Sequence, residues 1–202
     1  VAFSSLILFF TGVGQMPVYK RYMVDQLPGF SWSSDYSITV FLHYGGAFLL
    51  IFAVIFHLFY MFFSKEYHII PRRGDLKESF IIIKALFGLC EEPPQDKYLA
   101  EQRVAYGFMA FWFAIIIISG IVKVLKNLPG VTLANGLIFW STQLHNLAMI
   151  FLVLGVLAHL GAFLLKPNWP LVPSMFTGRV DPNYALKRHS IWCKTNFKDK
   201  IG

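Results

Sequence analysis

Residues 36–64 read YSITVFLHYGGAFLLIFAVIFHLFYMFFS, with Asp35 just before, Lys65 just after and no charged residue between them. A transmembrane helix needs about 20 consecutive, mostly apolar residues. This stretch is long enough for one crossing and carries two imidazoles, His43 and His57, which are costly to place in a bilayer. Three further runs lack charge: 1–19 before Lys20, 104–122 between Arg103 and Lys123, and 127–165 between Lys126 and Lys166. The last run begins with Pro129 and two glycines, so it holds a lead-in loop and then a span. The first run starts abruptly and is expected to be the end of a helix whose start lies outside this sequence. That missing start is where a further histidine is to be sought.

Composition agrees. Of 202 residues, 56% are hydrophobic, 14% are charged and 21 are Phe. The mean hydropathy is +0.55. A water-soluble globule of this size has no room to hide so much apolar surface. A soluble enzyme, a disordered tail and a soluble nucleic-acid binder are therefore disfavoured. The fold class expected is an all-α membrane protein. It is a four-transmembrane-helix bundle over 1–166, with spans at about 1–14, 37–63, 102–124 and 136–165 and the first helix truncated at its start. An interfacial amphipathic helix is expected over 74–89, where Leu76, Phe80, Ile83 and Phe87 fall at helical spacing between Lys77, Glu78 and Lys84. Pro93-Pro94 breaks it, and Pro167, Pro170 and Pro173 open a C-terminal tail over 167–202.

The net charge of +7 divides unevenly among the connections. Lys20, Arg21, Lys123 and Lys126 flank two of them. The other fourteen basic residues lie between the second and third spans and in the tail. By the positive-inside rule, that segment and the C-terminus face the cytoplasm. The charge thus reads as a topology signal with some attraction to anionic lipid, and no nucleic acid is needed to explain it. Cys90 and Cys193 then face a reducing compartment, so no disulfide is expected. No CxxC or CxxCH motif is present.

Four of the six histidines lie inside two spans: His43 and His57 in the second, His145 and His159 in the fourth. Each pair is 14 residues apart. On a helix that is about 21 Å of rise and a rotation about 40° short of four turns, so both members share one face. The two spans run in the same direction, because a single span separates them. His43 and His145 are then expected at one depth and His57 and His159 at the other. Two facing imidazole pairs stacked across a membrane are what two bis-histidine haems b require. Small residues beside the ligands (Gly46, Ala47, Ala53, Ala148 and Gly155) let a flat macrocycle approach a helix backbone, although small residues also serve ordinary helix packing. The bland reading of any one such histidine is an interhelical hydrogen bond; four at matched spacing weigh against it. His68 reads as a solvated interfacial residue. His189, in the basic run Lys187-Arg188-His189, reads as a contact to a partner or to head groups.

At these residues the chain resembles the cytochrome b (gamma) subunits of respiratory formate dehydrogenases and the related hydrogenase-type dihaem b cytochromes. The likeness is carried by Thr11-Gly12 in the first span, by Leu42-His43-Tyr44-Gly45-Gly46-Ala47 and then His57-Leu58, and by Gln102-Arg103 with Ser119-Gly120. It continues in the tail, with Ser174-Met175-Phe176-Thr177-Gly178-Arg179-Val180, Tyr184-Ala185 and Arg188-His189-Ser190-Ile191-Trp192. Leu99 departs from it, since the family often has Asn there, near its quinone pocket.

The resemblance implies a dihaem membrane subunit of a respiratory complex in a bacterial or archaeal cytoplasmic membrane. Electrons would pass between an extracytoplasmic Fe–S or multihaem partner subunit and quinone, either menaquinone or ubiquinone. Such a chain is not an enzyme by itself, except at a quinone site. Around that site the candidates are Tyr67, His68, Gln102, Arg103 and Tyr106. Other readings are a bc-type cytochrome b fragment, a cytochrome that reduces a small molecule directly, and a non-redox transport or structural subunit whose histidines relay protons. No PEWY motif of the bc type is present.

Overall fold

Asp35 decides where the longest helix begins. Its carboxylate accepts hydrogen bonds from the backbone N–H groups of Ser37 (2.8 Å) and Ile38 (3.2 Å), satisfying donors that a helix start leaves orphaned. A computed structural model describes residues 1–196, and this helix runs from Tyr36 to Ser64 within it. By its contacts the chain divides into two compact units, Val1–Glu66 and the part from Tyr67 onward.

The first unit contains α1 (Ala2–Gly14), the short α2 (Pro17–Arg21) and α3 (Tyr36–Ser64). α1 packs closely on α3 because Gly46 has no side chain. A Cβ there would stand 3.1 Å from Ile7 Cγ2 and 3.2 Å from Leu8 Cγ. The connection 15–35 is ordered by a small core of its own. Phe10 meets the rings of Tyr19, Phe30 and Trp32 at centroid distances of 5.8–6.5 Å. Ser33 Oγ donates to the Phe30 carbonyl, so the Tyr19 hydroxyl donates to Ser33, at 2.6 Å. Gly14 lets this loop close, since a Cβ at that position would lie 2.9 Å from the Ser33 carbonyl oxygen. Backbone cannot swing away as a flexible side chain can. Gly14→Ala should therefore lower stability by about 1–3 kcal/mol, read as a lower thermal midpoint of the purified protein.

The second unit holds α4 (Asp75–Leu86), α5 (Ala100–Leu125), α6 (Asn135–Gly161), α7 (Ser174–Thr177), α8 (Pro182–Arg188) and α9 (Ser190–Asn196). α5 and α6 pair through aromatic stacking of Trp112 on Phe151 (4.3 Å between centroids, 16° between planes). They also meet where Phe108 and Met109 fill the space a Cβ at Gly155 would take. α4 is fastened to the start of α5 by a buried ion pair. Arg103 Nε and Nη2 donate to Asp75 Oδ2 (2.8 Å) and Oδ1 (2.6 Å), and Nη1 donates to the Tyr98 carbonyl. Ile82, Leu99 and Ala100 form the apolar cluster beside it. On the other side of α4, Leu76, Phe80 and Ile83 are exposed, in keeping with an amphipathic helix.

Among the described residues all regular structure is helical. Three stretches are long and apolar enough to cross a membrane: Tyr36–Ser64, Ala100–Leu125 and Asn135–Leu164. α1, with 13 residues, is shorter than a crossing. The expected spans at 37–63 and 102–124 match α3 and α5 within two residues at each end. The last α-helix stops at Gly161, and its expected end near 165 is instead a 3-10 turn, Ala162–Leu164. The amphipathic helix is likewise shorter than 74–89, because Gly88 takes a left-handed conformation, φ +72°.

One segment departs from a plain basic surface. The basic run at 187–189 does not face outward as a whole. Arg188 is 4% exposed. It donates through Nε to Glu92 Oε1 (2.7 Å) and through Nη1 to Asn168 Oδ1 (2.7 Å) and the Tyr184 hydroxyl (3.2 Å). His189 Nδ1 donates to the Asp96 carbonyl (2.9 Å), and the Ile191 N–H to the Gln95 carbonyl (3.0 Å). A guanidinium with acidic partners so close is held by them and is not offered to a partner or to head groups.

Candidate cofactor site

His43 and His57 lie on the unbroken helix α3, and His145 and His159 lie on the unbroken helix α6. The 14-residue spacing is therefore realised on continuous α-helix in both units. In each unit the first histidine meets the preceding helix in the same way. His43 Nδ1 is 2.9 Å from Thr11 Oγ1 on α1. His145 Nδ1 is 3.1 Å from Ser119 Oγ on α5. Both hydroxyl residues are buried, Thr11 at 2% and Ser119 at 4% exposure.

A glycine follows the hydroxyl residue in both cases. A Cβ at Gly12 would lie 3.4 Å from His43 Cε1, and one at Gly120 would lie 3.3 Å from His145 Cε1. Each ring thus rests against helix backbone while its Nδ1 meets the neighbouring hydroxyl. The α5–α6 unit adds a further tie, with Ser141 Oγ donating to the Ser119 carbonyl (3.1 Å).

The sequence pointed to the four histidines but not to these hydroxyls. The signal was present as Thr11-Gly12 and Ser119-Gly120, each on the helix before a histidine-bearing one. Of the residues expected to pack a macrocycle, Gly46 and Gly155 are closely approached by neighbouring helices of their own units, as described above. Ala148 is fully buried, and Ala47 and Ala53 are half-buried. His159 lies edge-on to Phe163, 5.8 Å between centroids.

The residues named for a quinone pocket gather in part. Pro71 occupies the space beside Gly107, where a Cβ would lie 2.6 Å from Pro71 Cγ, so the loop after Tyr67 lies on the first turns of α5. His68 Nδ1 accepts from Arg72 Nη2 at 3.4 Å and stands 3.8 Å from Asp96 Oδ2. Its side chain is half exposed, as expected of an interfacial residue. Arg103 is engaged by Asp75. The Gln102 amide oxygen accepts from the Leu99 N–H (3.1 Å), closing the first turn of α5. Tyr106 follows on the same helix.

Among the described residues no three His, Cys, Asp or Glu side chains converge on a bare metal ion. Single imidazoles, each held at one ring nitrogen, instead suit a metal whose remaining ligands come with an organic macrocycle. Helices of membrane length that carry histidines fit an integral membrane protein of the cytochrome b class. The particular family follows from comparison: residues 1–178 match the model of prokaryotic cytochrome b561, and the chain belongs to that family. It is thus a haem b membrane protein of electron transfer. No curated protein sequence matches it.

Proposed function

We propose that the chain is a dihaem b-type membrane subunit of a respiratory complex. When bound, the haems supply one-electron carriers between an extracytoplasmic Fe–S or multihaem partner and menaquinone or ubiquinone. The observation that carries this reading is the repeated one. Two helix pairs each present an imidazole braced by a hydroxyl, with a second imidazole 14 residues further along the same helix.

His43 and His145 would hold one haem, and His57 and His159 the other. The support for this pairing is the equal spacing in the sequence together with the identical bracing of the two first histidines. α1, α3, α5 and α6 are the members of a four-helix bundle in this reading. The bundle is oriented by the positive-inside rule with α4 and the tail on the cytoplasmic side. At the cytoplasmic end, the loop bearing Tyr67 and His68 and the first turns of α5, with Gln102 and Tyr106, offer hydroxyl, imidazole and amide groups for a quinone headgroup. Arg103 contributes there by holding α4 and α5 together.

The test is a reduced-minus-oxidised spectrum of the protein purified in detergent, with haem extracted and counted. The expected result is a b-type α-band and two haems per chain. One haem per chain overturns the dihaem assignment, and none overturns the reading as a whole.

A further inference from the structure

Resting on that reading, we propose that Thr11 and Ser119 are positioning residues acting on a single haem. They fix the tautomers of its two axial imidazoles, His43 and His145, and set its reduction potential.

The tautomer follows from counting protons. A hydroxyl has one hydrogen to donate and two lone pairs to accept with. Thr11 Oγ1 stands 2.7 Å from the Ile7 carbonyl and 3.4 Å from the Leu8 carbonyl, and a carbonyl only accepts. The Thr11 hydrogen is committed to that pair of oxygens, so toward His43 the hydroxyl offers only a lone pair. His43 Nδ1 at 2.9 Å must be the donor. Ser119 repeats the arrangement: its Oγ donates to the Ile115 carbonyl (2.7 Å) or the Ile116 carbonyl (3.2 Å), and His145 Nδ1 donates to it at 3.1 Å. In both rings the proton sits on Nδ1, and Nε2 carries the lone pair, as a ligating nitrogen must. The tautomer of a histidine is set by the bond its other nitrogen makes.

The hydroxyl also sets ligand strength. An N–H donating to an acceptor leaves its imidazole more electron-rich, which favours ferric over ferrous iron and lowers the potential. A neutral hydroxyl already donating to a carbonyl is a better acceptor than a lone one, through polarisation along the chain of hydrogen bonds. The same device on both helix pairs brings both axial ligands of one haem under the same control. Thr11 and Ser119 bond to His43 and His145, so their control acts on the haem that those two imidazoles would hold.

The experiment is potentiometric titration of the purified holoprotein, wild type against T11V, S119A and the double variant, with T11S and S119T as conservative controls. Val keeps the shape of Thr, and Ala keeps the backbone of Ser. The expected result is an upward shift of one and the same haem component in T11V and in S119A, and a larger shift of that component in the double variant. The other component should be unmoved, and wild-type potentials should return in T11S and S119T. The proposal is overturned if T11V and S119A hold both haems at wild-type potentials, if the two variants move different components, or if T11S shifts as far as T11V. Should T11V fail to retain haem, T11S decides: retention supports the hydroxyl's role, and equal loss overturns it. A wild-type protein without haem b would instead overturn the function proposed above and leave these tautomers untouched.

Discussion

His43→Ala and His145→Ala are each expected to yield a protein that keeps one haem b of two and loses the same spectral component. Histidine ligates through a nitrogen that alanine lacks, and the α-helical backbone gives no neighbouring group the reach to replace it. α3 and α6 are continuous through these positions, so truncation removes a ligand without breaking a helix. The truncated ring also leaves Thr11 or Ser119 without its partner at Nδ1. Their hydroxyls keep their bonds to the Ile7 and Ile115 carbonyls, so neither becomes an orphaned buried donor. Folding is therefore expected to survive, with a thermal midpoint close to that of a one-haem protein. His57→Ala and His159→Ala are expected to remove the other component. Pyridine haemochrome content and the low-temperature α-band measure both outcomes. If H43A and H145A remove different components, the pairing is wrong.

Arg103→Ala is the change with the largest expected effect on stability. Arg103 and Asp75 are 4% and 3% exposed and share two hydrogen bonds. Removing one member of such a pair leaves an uncompensated buried charge and costs about 3–5 kcal/mol. The bond with Arg103 is the main reason the Asp75 carboxyl titrates below its ordinary range, and burial works against it. A depressed carboxylate pKa contributes stability that is complete above the unfolded value. That contribution fades as the pH falls below about 4 toward the folded value. In R103A the largest cause of the lowering is gone and the Arg72 N–H and charge are left to oppose burial, so the carboxyl titrates higher than in wild type and the deficit shrinks as the pH is lowered. Thermal unfolding of wild type and R103A between neutral pH and pH 4 reads this difference. The double variant D75N/R103A should recover part of the loss, because no charge is then left buried. Unchanged midpoints in R103A would show that water or another cation reaches Asp75.

The helices that cross were legible because charge is excluded from them; an uncharged run long enough for a bilayer has few other uses. The histidines were legible because their type is costly in such runs and their spacing repeats. What escaped the sequence were contacts between distant segments. Arg103 and Asp75 are 28 residues apart, on either side of a Pro-Pro break, and nothing in either segment names the other. Arg188 and His189 looked like part of a basic surface because a charge run is usually solvated. Only the return of the chain onto 92–101 shows that Arg188 is enclosed and that His189 bonds the Asp96 carbonyl. Thr11 and Ser119 were visible as motif letters, but hydroxyls in apolar helices bond their own backbone so readily that a second role across to another helix has no local signature.

Arg188 finally has a bearing on the order of events during synthesis. Glu92, Gln95, Asp96 and Glu101 leave the ribosome long before residues 188–191 do, yet their partners lie in that late segment: Glu92 and Glu101 beside the guanidinium, the Asp96 carbonyl on His189 and the Gln95 carbonyl on Ile191. Until then α4 and α5 hold together through Arg103, the Ile82, Leu99 and Ala100 cluster and the bond from Gln95 to Glu78, while Glu92 lacks its guanidinium. Closure of this end of the molecule therefore waits for residues 188–191. A chain interrupted before residue 188 would leave Glu92 and Glu101 without the guanidinium that faces them in the finished protein.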